Sequence, residues 1–113
     1  MSLAEASGLL RVNCEGGPYT TMNKRLHIYY SGSVQGVGFR YIAQSGASKL
    51  DITGWVKNLI DGRVELVCEG KDSSMDEFLG EIKSIFSARI EDILIQKEEP
   101  AGEFEGFDIK FSD

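Results

Sequence analysis

Arg40 closes a run rich in glycine, Gly32-Ser33-Val34-Gln35-Gly36-Val37-Gly38-Phe39-Arg40. The run leaves an alternating apolar segment (Leu26, Ile28, Tyr30) and enters one with helical spacing (Phe39, Ile42, Ala43, Gly46, Ala47, Leu50). It reads as a turn between a strand and a helix, where backbone N–H groups converge on an anion. The turn contains no proline, so every residue from Ser33 to Phe39 can donate its amide. Gly36 and Gly38 can take positive φ and let the chain curl around a ligand. Arg40 falls in or near the first helical turn, where a cation opposes the helix dipole unless an anion sits between them. Its planar fork can hold two oxygens of a phosphate.

Other glycine motifs fit less well. Walker A needs a Gly-Lys-Ser or Gly-Lys-Thr that is absent here, and Tyr41 stands where a dinucleotide fingerprint needs its third glycine. The echo of an RNA-recognition motif in Gly36 to Tyr41 lies at a helix start instead of on a central strand.

The stretch Gly32-x-Val34-Gln35-Gly36-Val37-x-Phe39-Arg40 resembles the first signature of the acylphosphatases. A second, Gly54-Trp55-Val56-Lys57-Asn58-x-x-x-Gly62-x-Val64 and on to Gly70, is similar to their second. The two occur in the family's order, and the resemblance covers about residues 25 to 111. Tyr30 departs from it, since the family's first motif more often opens with an aliphatic residue. The resemblance implies a hydrolase that splits a small acyl phosphate into a carboxylate and orthophosphate without a cofactor. Arg40 and the amides of Ser33, Val34, Gln35, Gly36, Val37, Gly38 and Phe39 would hold the phosphoryl group. Asn58 would hold the attacking water. By its residues alone Asn58 is a poor strand former near a hairpin, and nothing in the sequence places it beside Arg40.

Neither motif offers a general base. The only histidine, His27, falls on the strand face opposite Leu26 and Ile28 and reads as a surface or edge residue. An acyl phosphate tolerates this absence, because its carboxylate leaves easily and positioning with charge stabilisation supplies the catalysis. A phosphate monoester usually requires metals or a covalent nucleophile, and no metal-ligand spacing appears. The alternative reading is a non-catalytic anion-binding or accessory module. Acylphosphatase-like domains also occur inside carbamoyl-transfer maturation proteins, whose Cys-rich zinc segments this chain lacks.

The elements that must position these residues follow from periodicity. Strands are expected over 25–31, 53–59, 63–69, 91–97 and 106–111, with helices over 38–50 and from about 75 onward. Asp61-Gly62 marks a hairpin, and Asp72, Ser73 and Ser74 are good helix caps. Met75, Phe78, Leu79, Ile82, Ile85 and Phe86 form the apolar face of the second helix. The order βαββαβ, its last strand split by a loop at Pro100, gives an α+β ferredoxin-like, split-βαβ sandwich: an antiparallel sheet with two helices on one face.

Bulk properties bound the rest. The 113 residues make one small domain, 42% hydrophobic, with no apolar run of membrane length. A net charge of −6 disfavours nucleic acid. Yet no acid occurs between Gly16 and Leu50, a window that holds Lys24, Arg25, Arg40 and Lys49. Residues 1–23 lack periodicity and read as a flexible extension, native or introduced in cloning, with Met22 an alternative start and the domain occupying 24–113. Without a signal peptide the expected setting is cytoplasmic, where Cys68 reads as a core residue and a Cys14–Cys68 disulfide is disfavoured. The expected species is a monomer whose partners are acyl phosphate and inorganic phosphate.

Overall fold

Seven elements appear in the computed structural model, which describes residues 23–111. They are β1 (Asn23–Gly32), α1 (Phe39–Lys49), β2 (Thr53–Asn58), β3 (Val64–Lys71), α2 (Asp72–Ile85), β4 (Ile90–Glu98) and β5 (Phe107–Lys110). The expected extension lies outside the described residues except for Asn23, which begins β1. So does Cys14; Cys68 is a buried free thiol.

The sheet order is β4-β1-β3-β2-β5. Pairings β4–β1, β1–β3 and β3–β2 are antiparallel, with Ile28 opposite Leu66 and Val56 opposite Leu66 on the other side. Alternation places Leu26, Ile28, Tyr30, Val56, Val64, Leu66 and Cys68 on one face. They form a continuous core with Ala43 and Ala47 of α1 and with Met75, Phe78 and Ile82 of α2. This is the expected ferredoxin-like arrangement.

Three details differ from the sequence reading. The last two strands are not halves of one split strand: β4 and β5 occupy opposite edges, and β5 pairs parallel to β2, which makes the sheet mixed. The chain between them is anchored by Glu69. This carboxylate is buried and accepts hydrogen bonds from the amides of Ala101 (3.2 Å) and Gly102 (2.8 Å). A strand after a crossover can add only where an edge is free, and β2 offers one. Second, β3 runs two residues further than expected and α2 starts at once, with Lys71 as its N-cap. Asp72 thus falls in the first turn, where its charge suits the dipole and meets Lys24 at 2.5 Å. Third, Ile85 and Phe111, assigned to apolar faces by periodicity, are exposed where their elements end.

His27 lies on the face away from the helices but on an inner strand. Its Nε2 is 2.6 Å from Glu65 and its Nδ1 3.0 Å from Glu98. It is a bridge across β3, β1 and β4, not an edge residue.

Candidate active site

Phe39 fixes the start of α1. Its ring is buried against Tyr30 (centroids 4.9 Å) and Phe86 (4.7 Å). Successive helical residues are rotated by about 100°, so anchoring Phe39 in the core sends Arg40 outward. The preceding turn carries Gly36 and Gly38 at φ of 76° and 83°. A Cβ would meet no atom within 4 Å at either position, so the backbone twist, not space, calls for glycine. Gly38 is the N-cap, with no side-chain cap and no acid in the first turn. The first free amide to close a helical bond is that of Ile42, which donates to Gly38 O at 3.0 Å. The amides ahead of it are left for a ligand.

A cavity of about 230 Å³ opens here. Val34, Gly36, Gly38, Phe39 and Arg40 line one side, and Asn58 joins them from the end of β2. No sequence pattern places Asn58 beside the turn; the topology does. β2 is separated from β1 by β3, but α1 lies across the gap. Its Gln44 side chain donates to Phe107 O of β5 at 3.1 Å, which holds the helix over the β2–β5 pair. Asn58 shares the inward face of Val56, while Lys57 points the other way, toward Trp55 and Glu65.

Arg40 has no carboxylate partner among the described residues, and no acid lines the cavity. Its guanidinium carbon lies 5.3 Å from the Phe111 ring centroid. The acid-free window around the turn is thus reproduced in space.

Ser33 is corrected. Its amide already donates to Arg89 O at 2.9 Å, so it is not free for an anion. Val37 packs against the core, and neither it nor Gln35 lines the cavity. The Gln35 side chain has a different use. Its Nε2 donates to Leu59 O (2.7 Å) and to Arg63 O (2.9 Å), clamping the glycine turn to the hairpin that carries Asn58. Nothing in the sequence announces this role. Tyr41, Ile109 and Phe111 were also missed as cavity residues; apolar alternation had assigned the last two to a strand.

The second motif's Gly54 has a steric reason. Its φ is 138°, and a Cβ there would strike Val67 O across the sheet. Asp61 caps the hairpin by accepting from the Arg63 amide (3.1 Å) and guanidinium (2.9 Å), which lowers its carboxyl below the usual range.

The family model for acylphosphatases matches residues 26–109, both motifs included. The chain belongs to the acylphosphatase family. It is therefore a hydrolase acting on acyl phosphates, as the paired motifs imply. An acylphosphatase of Trichormus variabilis is 44% identical over 87 residues, 76% of this chain and 85% of the relative. The crystal structure of acylphosphatase from Bacillus subtilis superposes with a TM-score of 0.71 at 37% identity, covering 79% of this chain and 99% of that one. The full-length HypF crystal structure matches with a TM-score of 0.73 at 28% identity, covering 84% of this chain but 13% of that one.

Proposed function

We propose that Arg40 and the amides of the cavity-lining turn residues Val34, Gly36, Gly38 and Phe39 hold the phosphoryl group of an acyl phosphate, and that Asn58 orients the water attacking it. The observation that carries this reading is a cation with no acid partner among the described residues, sharing one cavity with the glycine turn and Asn58. The water oxygen forms a bond to phosphorus as the bond from phosphorus to the acyl oxygen breaks. The electron pair leaves with the carboxylate. The water proton passes to an oxygen of the phosphoryl group, so no protein base is needed. Charge accumulating on the phosphoryl oxygens is met by donors already in place, the arrangement that lowers a barrier most.

Among the described residues no group of three His, Cys, Asp or Glu side chains is placed to hold a metal ion. No described helix is long and apolar enough to cross a membrane. A cytoplasmic setting, supported by the free buried thiol of Cys68, belongs to the same proposal, as does a monomeric state.

Paired variants test the assignment. Arg40→Ala should lower kcat/KM by about 10²-fold or more, the loss of some 3 kcal/mol of transition-state stabilisation, with an unchanged circular dichroism spectrum. Arg40→Lys should recover little, since a point charge does not reproduce the fork. Asn58→Ala should lower kcat while inorganic phosphate inhibits as before. Near-normal turnover in folded Arg40→Ala would overturn the proposal. So would phosphate affinity collapsing in Asn58→Ala.

A further inference from the structure

The sheet ends in β4 on one side, and no strand among the described residues pairs with its outer edge. With nine residues, β4 is longer than every strand but β1. Long apolar edges normally carry a device against further pairing, such as a proline, a bulge or a covering loop. β4 contains no proline, and its register against β1 is regular from Glu98 to Asp92, shifting only at the end beside Gly32. It also exposes apolar side chains on both faces. Leu94, opposite Tyr29, stands on the open face and is 50% exposed. Ile95, opposite the core residue Ile28, stands on the helix face and is 51% exposed.

The order of charges along β4 decides what such an edge accepts. A strand meeting a second copy of itself about a two-fold axis runs antiparallel to it, and opposed residues share one face of the sheet. Only registers centred on a residue satisfy both conditions. Centred on Leu94, the register sets Leu94 opposite Leu94, Ile93 opposite Ile95, Asp92 opposite Gln96 and Glu91 opposite Lys97. Symmetry makes the Glu91–Lys97 pairing twice. The neighbouring registers are worse. Centred on Ile93, Arg89 opposes Lys97 and Asp92 opposes Leu94. Centred on Ile95, Asp92 opposes Glu98 and Glu91 opposes Glu99. Opposite charges across a ladder stabilise it and like charges destabilise it. Neither Glu91 nor Lys97 forms an ion pair among the described residues.

We infer that β4 is a docking edge for a second copy of this chain, the two strands pairing antiparallel about Leu94 so that the two sheets become one. The cavity, walled by Asn58 of β2 and Ile109 of β5, lies toward the opposite edge of the sheet and stays open in both copies. One strand edge makes a small interface, below about 1,200 Å² in total, where association is weak and reversible. The monomer proposed above is the dilute form of the chain, and pairing belongs to concentrated protein.

The test is sedimentation velocity of the full chain from about 10 μM to about 1 mM, the range in which a small interface associates. The weight-average mass should rise from 12.5 kDa toward twice that value. Lys97→Glu should weaken association about tenfold, because both symmetric contacts turn repulsive, and Glu91→Lys should do the same. The double variant Glu91→Lys with Lys97→Glu should recover the association of the parent. Leu94→Cys, on mild oxidation, should link position 94 of one copy to position 94 of the other. Opposed residues of an antiparallel ladder have Cα atoms about 4.5–5.5 Å apart, within disulfide reach. Turnover per chain should match the parent in each variant, which shows the fold intact. A monomeric mass at every concentration would overturn the inference, as would association that the double variant does not recover. A link from position 94 to Cys14 would also overturn it, since the segment before β1 would then occupy the edge.

Discussion

Gln35 joins two halves of the site without lining it, so replacing it separates positioning from binding. Gln35→Ala removes hydrogen bonds of 2.7 and 2.9 Å to the carbonyls of Leu59 and Arg63. Each carbonyl keeps a backbone donor: Leu59 O accepts from the Gly62 amide at 3.1 Å, and Arg63 O from the Leu59 amide at 2.8 Å. Neither is orphaned, so each lost bond costs about 0.5–1.5 kcal/mol, or roughly 1–3 kcal/mol for the pair. For a domain of this size the melting temperature should fall by about 4–8 °C per kcal/mol. The effect on turnover should be separate. With the clamp gone, the hairpin end carrying Asn58 drifts relative to the turn, and a shift near 1 Å can cost on the order of 10²-fold. Gln35→Ala should thus lower kcat by about tenfold or more while the phosphate inhibition constant changes by less than about threefold. Gln35→Glu should be worse, because a carboxylate facing two carbonyls has no donor to offer. The assay is acyl-phosphate turnover with phosphate inhibition, run beside thermal unfolding. A full kcat at reduced melting temperature would show that the clamp serves the fold alone. Loss of phosphate inhibition would show that it shapes the cradle.

Burial pushes the Cys68 thiol up to about 12 and raises the Tyr30 hydroxyl as well. Both groups stay protonated in the fold after the unfolded chain has released its protons. Their stabilisation is complete below pH 9 and falls as pH rises toward 12, by about 1.4 kcal/mol per unit and per group. Cys68→Val should flatten the fall in urea midpoint between pH 9 and 10, and an unchanged slope would refute the assignment. Asp51 sits at φ 58° just beyond α1, where the Ile52 amide donates to Ala47 O at 2.9 Å. Asp51→Gly should relieve this left-handed position and stabilise by up to about 1 kcal/mol in denaturant titrations. Hydrolysis should proceed undiminished in excess chelator and weaken as phosphate is added; strict dependence on magnesium or zinc would refute the proposed chemistry.

Local pattern carried far in this chain. Alternation in β1 and β3 and helical spacing in α1 and α2 identified the buried faces, because each element has one wet side and one dry side. The glycine turn and Arg40 were legible for the same reason: their chemistry is contiguous in sequence. What failed to show was everything set by pairing between distant segments. The placement of β5 beside β2 depends on which edge is free, and the Ser33 amide is lost to Arg89 through the β1–β4 register, which shifts between Ser31 and Gly32. Asn58 had a role only through the family resemblance, and the Gln35 clamp had none, because an amide side chain gives no periodic signal. His27 was placed on the correct face but the wrong strand position, since β1 became an inner strand only once β4 was seen to cover its edge.

The strand β5 is four residues long and pairs with one neighbour, yet Ile109 and the adjoining Phe111 complete the cavity. It is held by β2, by Gln44 of α1 and by the Glu69 anchor on the chain leading to it. Regions with few anchors open independently of the rest of a domain, at a fraction of the global unfolding free energy. Release of β5 would take Ile109 and the adjoining Phe111 from the cavity and leave the four antiparallel strands and the glycine turn assembled. The glycine turn and this part of the cavity wall therefore belong to units of different local stability, and mild denaturant should free the amides of β5 to exchange before those of β1 and β3.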